Sequence, residues 1–269
     1  EDDILANISP ASGDACADGS CALAFMVRTR LGSALHYVGA AGGRCFLAQP
    51  SNSDPKTRKQ ALAADRDGWL AAEKKELDNH QANGSWSLIN RSTVEANRKL
   101  VRLIWVYKVK RSGALKARLC VQGCAQVPGV DFHQTFCATL RGTSLRLLCS
   151  LAARHGLSMR RWDFVSAYLQ GELLENEVVY CQMPPGYETV GSDGRQKVCR
   201  IEKPVYGMAQ AGRRWQRTIF PWLTSPKVGF TQCASDTCVF HQTRTVSTPN
   251  GPRVERLIIG CYVDYLFVL

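Results

Sequence analysis

Ile258-Ile259-Gly260-Cys261-Tyr262-Val263-Asp264-Tyr265-Leu266-Phe267-Val268-Leu269 is an apolar, strand-like run with one carboxylate in its middle. Arg160-Arg161-Trp162-Asp163-Phe164-Val165 sets a second aspartate in similar surroundings. A carboxylate embedded this way carries a large desolvation cost unless a cation or hydrogen-bond donors face it. Taken singly, each is as readily a cap or turn residue. Taken together, two aspartates ending apolar strands are what divalent-metal chemistry on phosphates requires. Mg²⁺ is small and hard, and takes oxygen ligands while substrate phosphates fill the rest of its shell.

Working outward, Leu62, Trp69, Leu70, Glu73 and Leu77 mark one face of an amphipathic helix that starts after Thr57 and ends near Asn83-Gly84. Val101, Leu103, Trp105, Tyr107 and Val109 alternate, and after a turn at Arg111-Ser112-Gly113 so do Ala117, Leu119 and Val121. This predicts a basic β-hairpin. A second helix is predicted from Thr143 to His155, stopped by Gly156. Beyond Met159–Phe164 the pattern predicts a helix opening at Ser166 and strands at Val178–Met183 and Val198–Ile201. A helix from about Gln210 is expected to break near Pro221. Thr237–Gln242 and Arg256–Leu269 read as strands parted by a polar loop, Thr245–Gly251. Helices and strands mix without a βαβ repeat, which makes the fold class α+β.

Thirty-four Lys and Arg against 23 Asp and Glu give a formal charge of +11. That excess favours a polyanionic partner, nucleic acid before an acidic membrane surface. No apolar run approaches the roughly 18 residues of a membrane span, and no basic-then-apolar signal segment opens the chain. The 12 cysteines form no CxxC pair, and Cys120, Cys149, Cys199 and Cys261 sit in apolar runs where free thiols pack as small hydrophobes. A reduced protein inside the cell, cytoplasmic, nuclear or within a virus-like particle, is the reading. Residues 1–56, rich in Ala, Gly and Ser and closing on Pro50-Ser51-Asn52-Ser53-Asp54-Pro55, read as a poorly ordered linker or an upstream remnant. Residues 57–269 then form one domain, cut just after Asp264.

An ordered series of motifs resembles the reverse transcriptase domain of copia-type (Ty1/copia, Pseudoviridae) retrotransposons. It runs Trp69-Leu70-Ala71-Ala72-Glu73, Gly84-Ser85-Trp86-Ser87-Leu88, Trp105-Val106-Tyr107-Lys108-Val109-Lys110 and Lys116-Ala117-Arg118-Leu119. It continues through Gly129-Val130-Asp131-Phe132, Asp163-Phe164-Val165-Ser166-Ala167-Tyr168-Leu169-Gln170-Gly171 and Met183-Pro184-Pro185-Gly186-Tyr187. Tyr206-Gly207-Met208-Ala209-Gln210-Ala211, Trp215, Asp236 and Tyr262-Val263-Asp264 close it. Each piece is weak alone. The shared order over roughly residues 60–269 is specific.

The resemblance implies the fingers and palm of a right-hand polymerase, with the thumb truncated or absent. It implies two Mg²⁺ ions held by Asp163 and Asp264, deoxynucleoside triphosphates as substrates, and a primed RNA or DNA template as partner. Lys108 and Arg118 match residues that bind the incoming triphosphate, Tyr168 the ring beneath the nucleotide sugar, and Gln210 a residue lining the nucleotide pocket. Arg213 and Arg214 follow as candidates for template phosphates, while Lys110 and Lys116 read as solvated surface. One departure bears on activity. The family's box has a second aspartate where this chain has Tyr265. A phenol of ordinary pKa near 10 is a poor magnesium ligand, so impaired polymerisation is expected, with a catalytically dead nucleic-acid-binding remnant as the alternative. Ile104 and Gln122 also stand where the family usually carries lysine.

Overall fold

The face predicted for one long helix belongs to two. In a computed structural model, Arg58–Ala64 (α1) and Arg66–Ala82 (α2) meet at Asp65. Thr57 caps α1 by accepting from the Gln60 amide at 3.2 Å, and Asp65 caps α2 by accepting from the Gly68 amide at 3.0 Å. Each side chain satisfies a donor that a helix start leaves without a partner. The structure describes residues 54–249 and 251–269, and further upstream the backbone of three strands: Ile8–Pro10 (β1), Leu23–Thr29 (β2) and Gly32–Val38 (β3). The disorder expected over residues 1–56 therefore falls mainly outside the described residues. One unit, Ser12–Pro55, contains the antiparallel β2–β3 hairpin; the other joins Glu1–Ala11 to Lys56–Leu269.

In that larger unit the strands are Trp86–Ile89 (β4), Leu100–Val101 (β5), Leu103–Val109 (β6), Leu115–Val121 (β7), Arg160–Phe164 (β8), Val179–Gln182 (β9) and Val198–Ile201 (β10). Thr231–Gln232 (β11), Val239–Thr248 (β12), Gly251–Tyr262 (β13) and Tyr265–Val268 (β14) complete them. Gly142–His155 (α3) and Ala211–Thr224 (α4) bring the α-helices among the described residues to four. The fold is mixed α+β. β6 and β7 form the predicted hairpin, β4-β10-β9-β5 a small sheet, and β1-β8-β14-β13-β12-β11 the principal sheet. No described helix is long and apolar enough to cross a membrane.

Of the four buried clusters among the described residues, two large ones hold these layers. One gathers Trp69 of α2, the inward residues of the β6–β7 hairpin, Val179 and Cys181 of β9, and Ala211. The other lies against the principal sheet, where Trp215, Ile219 and Leu223 of α4 meet Phe164, Phe240, Ile259, Cys261 and Leu266. Tyr168 packs against both. The first core also contains a charged hub. Glu73, fully buried, receives Arg58 and the hydroxyls of Tyr107 and Tyr187.

Four local expectations are corrected. α4 does not break at Pro221 but runs to Thr224. Pro221 is exposed and forfeits one backbone bond, while the buried Trp215–Ile219–Leu223 stripe holds both halves to the sheet. The segment after Ser166 is only a short 3₁₀ turn, Ala167–Gln170. Thr245–Gly251 is not a loop, because β12 and β13 stay paired out to Thr248 opposite Gly251. Backbone pairing needs no apolar side chains, and the run is rich in β-branched residues. Finally, Arg256–Leu269 is two strands. Its reversal at Val263-Asp264 is hard to see because no Gly, Pro or Asn marks it.

Candidate active site

Strand pairing brings the two aspartates together. β8 lies antiparallel to β14 with Asp163 directly opposite Tyr265, and Asp264 sits in the two-residue turn between Tyr262 and Tyr265. The Phe164 amide donates to the Asp264 carbonyl at 3.0 Å, stitching the turn to the strand that carries Asp163. Val263 takes φ +56°, a value a β-branched residue adopts at a cost of about 1–3 kcal/mol. A cleft of about 230 Å³ opens on Asp163, Asp264 and Tyr265, and Glu76, Lys116, Arg118 and Tyr206 are among the other residues of its wall. A larger groove of about 430 Å³ along α4 is lined by Phe136, Arg213 and Arg217. No acid lines that groove, so carboxylate chemistry belongs to the smaller cleft.

The electrostatics of the cleft are those of a negative centre facing cations. Burial pushes the Asp163 carboxyl above its ordinary range and the Asp264 charge adds to it, while Lys116, Arg161 and Arg118 oppose the shift. Burial likewise raises Asp264, against Arg118 and Lys116. Lys116, half-buried, is pushed down first by desolvation and then by repulsion from Arg118 and Lys110. Burial and the two aspartates raise the phenol of Tyr265, so at neutral pH it is an uncharged hydroxyl, with the Arg161 guanidinium 5.1 Å from its ring centroid.

The predicted residues separate. Asp163, Asp264 and Arg118 share the cleft, and the Arg118 guanidinium lies 4.2 Å over the Tyr206 ring. Tyr168 packs against that ring with centroids 4.7 Å apart, its phenol raised by burial and by the Asp264 charge. Lys108 is exposed on the same hairpin face, paired across the ladder with Lys116. Gln210 is fully buried; its amide donates to the Asp131 carbonyl at 3.0 Å and accepts from Gln126 at 3.1 Å. Its position is at the base of α4, fastening the 126–131 loop, and outside the cleft wall.

The arginines after it are also committed elsewhere. Arg214 is buried in a two-pronged ion pair with Glu177 at 2.7 and 2.6 Å, and Arg213 donates to the Phe136 carbonyl and to Gln134. Arg214 is therefore a structural residue. Sequence reasoning missed Lys116, which it read as solvated surface. The available signal was its place two residues before Arg118, which puts both side chains on one face of the strand.

Two raised carboxyls whose charges repel, with hard oxygen donors and an open mouth for phosphates, fit a hard divalent cation. The fit is partial. Among the described residues no three His, Cys, Asp or Glu side chains form a metal cluster, and Tyr265 is the side chain that faces Asp163 across the ladder.

The model of a family described as reverse transcriptase (RNA-dependent DNA polymerase) matches residues 83–269. The chain belongs to that family. It is 34% identical over 193 residues, 71% of its length, to the retrovirus-related Pol polyprotein from transposon RE2 of Arabidopsis thaliana. It is 30% identical over 230 residues, 83% of its length, to that from transposon TNT 1-94 of Nicotiana tabacum. A Ty1 Gag-Pol polyprotein of Saccharomyces cerevisiae matches at 26% over 147 residues, 55% of the chain. The matches make it a reverse transcriptase domain of the copia-type retrotransposon group. It spans 13%, 16% and 9% of those three polyproteins.

Proposed function

We propose that this chain is the fingers-and-palm portion of an RNA-directed DNA polymerase, extending a primer on an RNA or DNA template, and that Tyr265 leaves this copy severely impaired. The observation that carries the reading is the shared cleft: Asp163 on β8 and Asp264 in the adjoining β13–β14 turn share it with Lys116 and Arg118, and Tyr265 is the direct neighbour of Asp163. The β6–β7 hairpin with α1 and α2 corresponds to the fingers, and the principal sheet with α3 and α4 to the palm. Residues 57–269 act as one domain. The working compartment is inside the cell.

Asp163 and Asp264 would hold Mg²⁺, which when bound supplies charge neutralisation at the phosphates and a more acidic primer 3′-hydroxyl. The reaction itself is in-line attack of that hydroxyl on the α-phosphate, with pyrophosphate leaving. Lys116 and Arg118 neutralise and orient the triphosphate, with Lys108 at the outer edge. Tyr168 backs Tyr206 where the nucleotide sugar lies, and Gln210 acts through the loop it fastens. Tyr265 brings a neutral hydroxyl where a third carboxylate is needed.

Primer extension by the chain and by its Tyr265→Asp variant, each with Mg²⁺ and with Mn²⁺, tests the proposal. Extension confined to the variant, or at least about 10²-fold faster in it, is expected. Equal and brisk extension by both would refute impairment. A second reading, a nucleic-acid-binding remnant, rests on the basic groove with Phe136 and Arg217. It gains if neither protein extends and both bind primer–template with a steep salt dependence.

A further inference from the structure

One side chain touches the neighbours of both aspartates. Trp215 is buried on α4, and its indole N–H donates to the Val263 carbonyl at 2.7 Å. Its ring meets Phe164 edge-on, with centroids 4.9 Å apart at 66°. Phe164 follows Asp163, and Val263 precedes Asp264. The Phe164 amide in turn holds the Asp264 carbonyl. Both carbonyls of the two-residue turn are therefore tied, one to a side chain of α4 and the other to β8. The Cys261 thiol also points at the Val263 carbonyl, but at 3.9 Å from a weak donor.

A buried indole needs some acceptor, and that need alone would leave Trp215 an ordinary core residue. The turn it binds is what distinguishes it. Val263 sits at φ +56°, where a β-branched residue is strained, and such a conformation persists only when its surroundings over-determine it. The hydrogen bond from Trp215 is a directional restraint on the peptide that aims Asp264. The ring against Phe164 fixes the distance from that peptide to the strand carrying Asp163.

We infer that Trp215 is a positioning residue. It sets the separation and direction of the Asp163 and Asp264 carboxylates by holding the strained turn, and so sets how well the pair grips a divalent cation. The metal half of this inference rests on the polymerase reading above; the turn half does not.

The test removes the N–H and leaves the ring. Trp215 is replaced by β-(3-benzothienyl)alanine, which keeps the bicyclic shape and lacks the donor, and separately by Trp215→Phe and Trp215→His, the last retaining a ring donor. Amide hydrogen exchange at Phe164 reports on the turn without any metal. Removal of the donor should speed it by about tenfold or more while protection at Ile219 in the same core is unchanged, and Trp215→His should recover part of the loss. Mn²⁺ binding, followed by the resonance of the free ion on the Tyr265→Asp background, should weaken about tenfold in parallel. Phe164 exchange and Mn²⁺ affinity both unmoved in the benzothienyl protein would overturn the inference. Faster exchange with no Mn²⁺ binding in any of these proteins, Trp215 intact included, would uphold the hold on the turn and count against the polymerase reading instead. If Trp215→Phe fails to fold, the isosteric replacement decides.

Discussion

Tyr265 and Asp163 are direct cross-strand partners, opposite each other where β14 meets β8. Side chains in such a pair lie on one face of the sheet within reach of each other. Tyr265 is thus in contact range of Asp163, and its identity changes the field at that carboxylate.

Tyr265→Asp should therefore weaken the apoprotein. A third carboxylate beside two that already repel adds a like-charge pair worth about 1 kcal/mol. Thermal unfolding in a chelator at pH 8 should come at a lower temperature than in the parent chain, and millimolar Mg²⁺ should raise it more in the variant. A rise of the same size in both would mean that Tyr265 lies outside any cation site.

The raised carboxyls fix the sign of the pH dependence. Asp163 and Asp264 bind protons more tightly folded than unfolded. Their protonated forms favour the fold, so the stability these two carboxyls contribute is fully present below the unfolded carboxyl range near 4 and is lost as pH climbs through the raised folded values. The Asp163→Asn, Asp264→Asn double variant should unfold at a higher temperature than the parent at pH 8, and the gap should close near pH 3–4. Denaturation curves at both pH values check this.

Arg214 should behave as scaffold. Glu177→Gln leaves a buried guanidinium facing a neutral amide and should cost about 3–5 kcal/mol in urea unfolding. Conversely, Arg217→Ala on the exposed groove should lower the salt slope of nucleic-acid binding by about one unit with little change in stability. Equal effects of Arg214→Met and Arg217→Ala on that slope would contradict the assignment.

Lys116 should matter to the triphosphate more than Lys108 does. Lys116→Met should weaken deoxynucleoside triphosphate binding about tenfold, the loss of one charge-assisted contact. Lys108→Met, at an exposed edge, should weaken it less. Competition with a fluorescent nucleotide measures both.

Much of this arrangement is legible in the amino-acid sequence. Asp163 and Asp264 announce themselves because each interrupts an apolar strand, and the β6–β7 hairpin because its alternation is clean. What escaped reading is whatever depends on a partner far along the chain. Nothing near Arg214 signals Glu177, nothing near Trp215 signals the Val263 carbonyl, and Glu73 looks like one more helical residue although Arg58, Tyr107 and Tyr187 converge on it. The β13–β14 reversal escaped for another reason. Its strained Val263 lacks the residue types that make such a turn visible, and strain of that kind is set by packing around the turn.

The two cores and the Arg214–Glu177 pair hold the chain together at places other than the aspartates. Aspartate and tyrosine codons differ at a single base. One transversion at position 265 therefore separates Tyr265 from the third carboxylate of the reading proposed above, with the same interior on either side of the change. Heredity can rewrite the cleft here in one step and leave the architecture in circulation.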